Sequence, residues 1–225
     1  MSKHQSAYLY YISDAVRFLS MKIVVIIPTY NERENIIKML DIMTSIVKKQ
    51  RNHQYKILIV DDNSPDGTGQ LVQNYPGFGK FIVMISGQKE GLGKAMIRGY
   101  RYATKNLKAD VVVSNEADFA FDPKKIPFMI NKIEEGFDVI VGSRHVGNGR
   151  VSGWTLNRKF NHWVANKFFA TWVAGVSAVY DHNGAFRAIR VKGVLEKLDL
   201  NKLDVVGFGF FNYSLLNIKG NPPAG

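Results

Sequence analysis

The sequence contains no cysteine among its 225 residues, which excludes disulfide bonds and thiolate metal sites. The uncharged runs near the C-terminus, such as residues 168–180, are shorter than the roughly 20 apolar residues that a membrane-spanning helix needs. Residues 1–20 lack the basic start and the continuous apolar stretch of a signal peptide. The length and the hydrophobic fraction of 46% fit one globular α/β domain with its own core.

Residues 1–20 are interpreted as a separate N-terminal leader. Apolar side chains recur there at helical spacing, which predicts a weakly amphipathic helix: Leu9, Ile12, Val16 and Leu19. Met21 precedes the first strand pattern, so the leader is expected to be dispensable. Residues 21–225 are predicted to form a single domain whose last third is basic and aromatic.

Positive charge is in excess, with a formal net charge of +11. Between residues 144 and 192 there are eight Lys or Arg residues and one acid, Asp181, so this segment alone carries +8 − 1 = +7. Such a surplus favours anionic partners such as phosphorylated substrates, lipid headgroups or nucleic acid, and a solvated basic face is the alternative. No recognised nucleic-acid-binding motif is present, so we expect no nucleic-acid partner.

Runs rich in Val and Ile alternate with helical patterns, which predicts a mostly parallel sheet with helices on both faces. The predicted strands are residues 22–28, 56–61, 81–86, 110–114 and 138–141. After the first strand, Asn31 and Glu34 have the spacing of a helix-capping box. The apolar face predicted for that helix comprises Ile36, Ile37, Leu40, Met43 and Val47.

Polar segments follow four of the predicted strands: residues 28–32 (PTYNE), 61–68 (DDNSPDGT), 115–118 (NEAD) and 142–144 (GSR). Each alone is typical of a turn. Because ligands bind beyond the carboxyl ends of strands in open α/β sheets, four such segments at one edge favour a binding site.

Two common phosphate-binding motifs are excluded near residues 91–94 (GLGK). A P-loop would need glycine at Gln88 and Ser or Thr at Ala95, and a dinucleotide fingerprint would need a third glycine at Met96. The glycines can still hold a phosphate at a helix N-terminus or serve tight packing.

Glu116 and Asp118 are the sharpest chemical feature of the sequence. They stand one residue apart after a predicted strand, and carboxylate oxygens suit Mg²⁺ or Mn²⁺ bound to a diphosphate. A hydrated acidic turn is the alternative interpretation.

These motifs together resemble glycosyltransferase family 2. Residues 25–32 (VIIPTYNE) and 60–68 (VDDNSPDGT) are similar to its opening signatures, and the second is especially similar to its polyprenyl-phosphate mannose synthases. Further matching segments follow in order at residues 91–95, 142–144, 153–154 with Arg158, and 181–187. The resemblance covers residues 22–216.

The resemblance implies a GT-A (Rossmann-like) fold and an inverting transfer of mannose from GDP-mannose to dolichyl or another polyprenyl phosphate. It implies a cytoplasmic protein, peripheral on the cytoplasmic face of a membrane. An interfacial surface of aromatic and basic residues would hold it there: Trp163, Phe168, Phe169 and Trp172 beside Arg158, Lys159 and Lys167. A small hydrophobic membrane subunit is the alternative anchor.

The resemblance also implies roles for individual residues. Those implied to hold the nucleoside are Pro28, Tyr30, Glu32, Val60 and Asp62. Glu116, Ala117 and Asp118 are implied to lie near the diphosphate, with Glu116 and Asp118 as ligands of Mg²⁺ or Mn²⁺. Arg144 and Arg158 are implied to bind the phosphates of the sugar donor or the acceptor, and Asp118, Arg144 and Arg158 form the implied catalytic set.

The sequence departs from the family pattern at three places. Glu116 stands at a usual Asp, and Ala120 and Phe121 replace a polar residue and a His. His162 replaces a common Ser, and after residues 221–225 there is no further strand with an Arg and a Gly-x-Ser-Lys segment. Two alternatives follow: a glucosyltransferase that uses UDP-glucose, and a catalytically weak regulatory subunit that binds a nucleotide sugar.

Overall fold

The computed structural model describes residues 9–12, 20–142 and 185–198. Seven strands lie in these ranges: β1 (Leu9–Ile12), β2 (Lys22–Thr29), β3 (Gln54–Asp61), β4 (Ile82–Ser86), β5 (Val111–Ser114), β6 (Phe137–Val141) and β7 (Arg187–Arg190). The helices are α1 (Ile36–Lys49), α2 (Thr68–Gln73), α3 (Leu92–Lys105) and α4 (Ile126–Glu134), with short 3₁₀ helices at Pro123–Lys125 and Leu195–Lys197.

The strands form one sheet in the order β1-β6-β7-β5-β2-β3-β4. Strands β5, β2, β3 and β4 are parallel neighbours. Strand β7 pairs antiparallel with both β5 and β6, so β6 runs in the same direction as β5. Strand β1 pairs antiparallel with β6 at the edge. The predicted α/β class and mostly parallel sheet are therefore confirmed, and all five predicted strands are present.

Helices cover both faces of the sheet. On one face α1, α2 and α4 pack in a core that includes Ile23 and Val25 of β2. On the other face α3 packs in a second core that includes Val24 and Ile26. Because β2 is buried on both faces, its sequence is a continuous apolar run rather than an alternating one.

Helix α3 lies unusually close to the sheet at Gly99, in the middle of the helix. A Cβ atom on Gly99 would lie 2.7 Å from Ile26 Cγ2 and 3.2 Å from Val60 Cγ2. The missing side chain therefore sets the distance between α3 and the central strands β2 and β3.

The start predicted for α1 is wrong. Asn31 has a positive φ of 59°, and the helix begins at Ile36 after Asn35 as its N-cap. The left-handed backbone of Asn31 differs from the extended backbone of an N-cap residue, and the Asn31 N–H donates to the Ser64 side chain. The buried face comprises Ile36, Met39, Leu40, Met43 and Ile46, so three of the five predicted residues belong to it, whereas Ile37 is exposed.

The helix predicted over the leader is wrong for residues 9–12, which form strand β1. Its pairing with β6 satisfies backbone N–H and C=O groups of β6, which a helix at this place could not do. Within the described ranges, none of the helices has the length and apolar character needed to span a bilayer.

Candidate active site

A cleft of about 230 Å³ lies at the carboxyl ends of β2, β3 and β5, beside the start of α3. The residues that line it come from the end of β2, the loops after β2, β3, β4 and β5, and the first turn of α3: Pro28, Thr29, Tyr30, Glu32, Asp62, Lys89, Gly91, Leu92, Ala95, Glu116, Ala117 and Asp118. Polar segments that are far apart in the sequence meet here because the strands before them are parallel.

Most of the predicted site residues line this cleft: Pro28, Tyr30, Glu32, Asp62, Glu116, Ala117 and Asp118. Val60 does not; its side chain is fully buried in the core on the α3 face. Arg144, Arg158 and the predicted interfacial surface at residues 158–172 lie outside the described residues.

Two loops of the cleft are joined by a set of hydrogen bonds that we term the loop clamp. Three consecutive backbone N–H groups between β2 and α1 donate to side chains between the end of β3 and the first residue of α2: Asn31 to Ser64 Oγ, Glu32 to Thr68 Oγ1 and Arg33 to Asp66 Oδ2, at 3.1, 3.0 and 3.0 Å. These N–H groups precede α1 and have no partner within a helix, so the clamp fixes the path of the loop that carries Tyr30 and Glu32.

Asp61 and Asp66 hold the clamp residues in place. Asp61 accepts from Thr29 Oγ1 at 2.9 Å and from Ser64 Oγ at 2.6 Å. Asp66 Oδ1 accepts from Thr68 Oγ1 at 2.6 Å. The polar residues of segment 61–68 are therefore mainly structural, and Asp62 is the carboxylate of this segment that lines the cleft.

Asp62 is buried and forms an ion pair with Arg98 of α3. Burial raises the pKa of the Asp62 carboxyl above its ordinary value, and the Arg98 guanidinium opposes that rise. Arg98 was not predicted to belong to the site, because a charged residue in a helical pattern is usually solvated. Its spacing of three residues from Ala95, which lines the cleft, is the signal that could have identified it.

Lys89 is a second residue that the sequence analysis missed. Its Nζ lies 3.7 Å from the centroid of the Tyr30 ring, in cation–π contact, and its charge lowers the pKa of Asp62. The other charged residues that line the cleft are carboxylates, so Lys89 supplies positive charge beside the predicted nucleoside residues.

Glu116 and Asp118 line the cleft at the end of β5, with Glu116 partly buried and Asp118 exposed. Asp118 Oδ1 accepts the Ala120 N–H at 2.9 Å, and Phe119 between them has a positive φ of 59°. Asp122, close by in sequence, instead caps the 3₁₀ helix by accepting the Lys124 N–H at 3.0 Å.

Glu116 and Asp118 supply only some of the ligands that a divalent ion needs. No group of three or more His, Asp or Glu side chains that could hold a metal is found in the described part of the chain. Two carboxylates would leave most positions of a six-coordinate Mg²⁺ or Mn²⁺ to water and to phosphate oxygens. This donor set suits an ion that arrives with a diphosphate rather than one held by the protein alone.

Comparison with known proteins gives a family and two relatives. A family model described as glycosyl transferase family 2 matches residues 24–198. Dolichol-phosphate mannosyltransferase of Pyrococcus furiosus is 34% identical over 183 residues, which cover 81% of this chain and 50% of that protein. Polyprenol monophosphomannose synthase of Mycolicibacterium smegmatis is 33% identical over 196 residues, covering 85% and 69%. The chain thus spans about half the length of the first relative.

Solved structures share the fold. A mycobacterial protein superposes with a TM-score of 0.61 at 17% identity, covering 87% of this chain and 60% of that one. The mannosyltransferase PcManGT of Pyrobaculum calidifontis, in complex with GDP-Man and Mn²⁺, superposes with a TM-score of 0.51 at 18% identity, covering 87% and 50%. These similarities confirm the predicted GT-A fold.

Proposed function

Because this chain belongs to glycosyltransferase family 2, we propose that it transfers mannose from GDP-mannose to dolichyl or another polyprenyl phosphate. The observation that carries this proposal is the cleft, which joins Tyr30 and Asp62 to the carboxylates of Glu116 and Asp118 at one sheet edge. The names of the two relatives support mannose and a polyprenyl phosphate as substrates.

In this proposal the nucleoside lies over Pro28 and Tyr30, and the diphosphate extends toward Glu116 and Asp118. An ionised oxygen of the acceptor phosphate attacks the anomeric carbon of mannose. The new C–O bond forms as the bond to the β-phosphate oxygen breaks, and GDP leaves with the electron pair. Attack opposite the leaving group inverts the anomeric configuration.

The acceptor needs no protein base, because the second pKa of a phosphate monoester is about 6. The protein instead aligns the reactants and stabilises the charge that develops on the diphosphate. Glu116 and Asp118 would hold Mg²⁺ or Mn²⁺, which supplies positive charge to the leaving group when bound. Arg144 and Arg158 are assigned to the phosphates by the family resemblance.

The sugar donor is tested by calorimetric titration with GDP and with UDP in the presence of Mn²⁺. We expect GDP to bind more tightly, because guanine offers two adjacent N–H donors to a carboxylate where uracil offers one. Incubation with labelled GDP-mannose or UDP-glucose and dolichyl phosphate should give a labelled lipid from GDP-mannose alone. A labelled lipid from UDP-glucose would favour the glucosyltransferase. Nucleotide binding without any lipid product would favour the regulatory subunit, an alternative suggested by the departures from the family pattern at Ala120 and Phe121.

Membrane association is tested by sedimentation with liposomes. In the proposal the protein is peripheral on the cytoplasmic face, held by its basic and aromatic residues. We expect it to sediment with anionic liposomes at low salt and to be released as salt rises, since exposed charges are screened. Liposomes of neutral lipid are the control. Protein that stays in the supernatant at low salt would mean that this chain has no membrane affinity of its own, and would leave a small hydrophobic subunit as the anchor.

A further inference from the structure

Arg98 lies behind the cleft, in contact with a carboxylate that lines it. Its Nη2 donates to Asp62 Oδ1, and its Nη1 lies 3.4 Å from Glu90 Oε2. The Asp62 side chain is 7% exposed and that of Arg98 is 24% exposed, so the ion pair is largely removed from water. A charge-assisted hydrogen bond in such surroundings holds both groups in a defined orientation.

The backbone at Gly87 makes room for this guanidinium. A Cβ atom on Gly87 would lie 2.5 Å from both Cζ and Nε of Arg98. The Nε atom is buried and has no hydrogen-bond partner among the described residues. The guanidinium therefore occupies a narrow space that only a glycine at position 87 leaves open, and Asp62 is its main polar partner there.

We propose that Arg98 is a positioning residue for recognition of the nucleobase. It keeps the Asp62 carboxylate ionised and turned so that this carboxylate accepts a ring N–H of the base. The inference rests on the proposed function, because it takes the cleft to be the site of the nucleotide of the sugar donor.

The chemistry of the bases gives this arrangement a selectivity. Guanine and uracil carry a ring N–H beside a carbonyl, whereas adenine and cytosine present a ring nitrogen that accepts hydrogen bonds. An ionised carboxylate repels the lone pair of adenine or cytosine. It then receives no hydrogen bond from the base, which is costly in a buried site. Guanine also places its N1–H and N2–H side by side, so both carboxylate oxygens can accept.

The ionisation of Asp62 depends on the charges around it. Burial raises the pKa of its carboxyl, and Arg98 is the largest influence that lowers it. The other charged groups are Asp61 and Glu90, which raise the pKa, and Lys89, which lowers it. Without Arg98 the pKa rises further, so the carboxylate takes up a proton as the pH falls and loses its capacity to accept from guanine on both oxygens.

The test is calorimetric titration of GDP and of ADP into wild type, Arg98→Gln, Arg98→Lys and Gly87→Ala. Wild type should bind GDP with little change from about pH 8 to about pH 6 and should bind ADP weakly. Arg98→Gln should weaken GDP binding by about tenfold or more, with a larger loss at the lower pH. Arg98→Lys keeps the positive charge, so its affinity should be intermediate and its pH profile flat. Gly87→Ala should weaken GDP binding because the added methyl group displaces the guanidinium.

The control is Lys105→Gln, which removes a positive charge from an exposed position in the last turn of the same helix. A double-mutant cycle then separates positioning from a general structural role. In an Asp62→Asn background, Arg98→Gln should have almost no further effect on GDP affinity, since Arg98 acts through Asp62. An equal loss in both backgrounds would overturn the proposal, as would wild-type affinity in all three single variants.

Failure of the proposed function looks different from failure of this inference. If wild type binds neither GDP nor UDP, the cleft is not a nucleotide site and both proposals fall. If wild type binds GDP but the Arg98 and Gly87 variants bind it equally well at every pH, only the positioning role is wrong. Should Arg98→Gln not fold, the affinities of Arg98→Lys and Gly87→Ala decide the question in the same way.

Discussion

Replacing Asp118 by asparagine is expected to lower the rate of the proposed mannosyl transfer by roughly 100- to 1,000-fold. The amide keeps an oxygen that can accept the Ala120 N–H, so the turn after β5 should persist. What is lost is the negative charge that would hold a divalent ion against the leaving diphosphate. The measurement is the initial rate of lipid-linked mannose formation at saturating Mn²⁺, and EDTA should abolish the wild-type rate.

Asp122→Asn is the matched control for this substitution. The same chemical change is made four residues further on, at an exposed carboxylate that does not line the cleft. Asparagine is as good a cap as aspartate, so the 3₁₀ helix should remain and the transfer rate should stay close to that of wild type. Transfer that is undiminished in Asp118→Asn would remove the metal role of this carboxylate.

Gly99→Ala is expected to destabilise the protein by about 1–3 kcal/mol, although alanine is the better helix former. The new methyl group would lie 2.7 Å from Ile26 Cγ2 in the core, so α3 must move away from β2 and β3. Because α3 also carries Arg98, GDP binding should weaken as well. Urea unfolding followed by circular dichroism measures the free energy of unfolding.

The same substitution at Gly69 should have the opposite effect on stability. Gly69 lies in α2, and its added methyl group would meet Asp61 Oδ2 at 3.5 Å and Met84 at 3.8 Å, which are ordinary contacts. Alanine in place of glycine in a helix stabilises by up to about 1 kcal/mol. A Gly99→Ala protein as stable as Gly69→Ala would show that α3 adapts without loss.

The sequence was sufficient to predict the parallel half of the sheet. Strands β2 and β3 are buried on both faces. Strands of this kind have continuous Val- and Ile-rich runs, whereas half-exposed strands alternate apolar and polar residues. Once these strands are parallel, their carboxyl ends must share one edge. The meeting of segments 28–32, 61–68 and 115–118 in one cleft therefore followed from local patterns.

The place of β7 could not be predicted in this way. It lies between β5 and β6, and a buried ion pair between Arg190 and Asp138 at 2.9 Å links it to β6. The two residues are 52 positions apart, so their pairing exists only after the chain has folded. With Arg at both ends, β7 (RAIR) also lacks the continuous apolar run that predicts a central strand.

The roles of individual polar residues were also set by tertiary contacts. Ser64 and Thr68 belong to a segment whose composition is typical of a ligand site, yet their hydroxyl groups accept backbone N–H groups from a neighbouring loop. Asn31 shows the same effect, since its N–H donates to Ser64 and its backbone is left-handed instead of extended as in an N-cap residue. Local sequence patterns identify the polar residues of the site region, whereas their hydrogen-bond partners in the folded protein determine whether each has a structural or a binding role.

The loop clamp has a consequence for how this protein can vary. Its three bonds join consecutive positions before α1 to Ser64, Asp66 and Thr68, so inserting or deleting a residue among these partners would break the match in spacing. Both loops are therefore constrained in length as well as in sequence. The clamp also orders the loop before any nucleotide arrives, so binding loses less conformational entropy there.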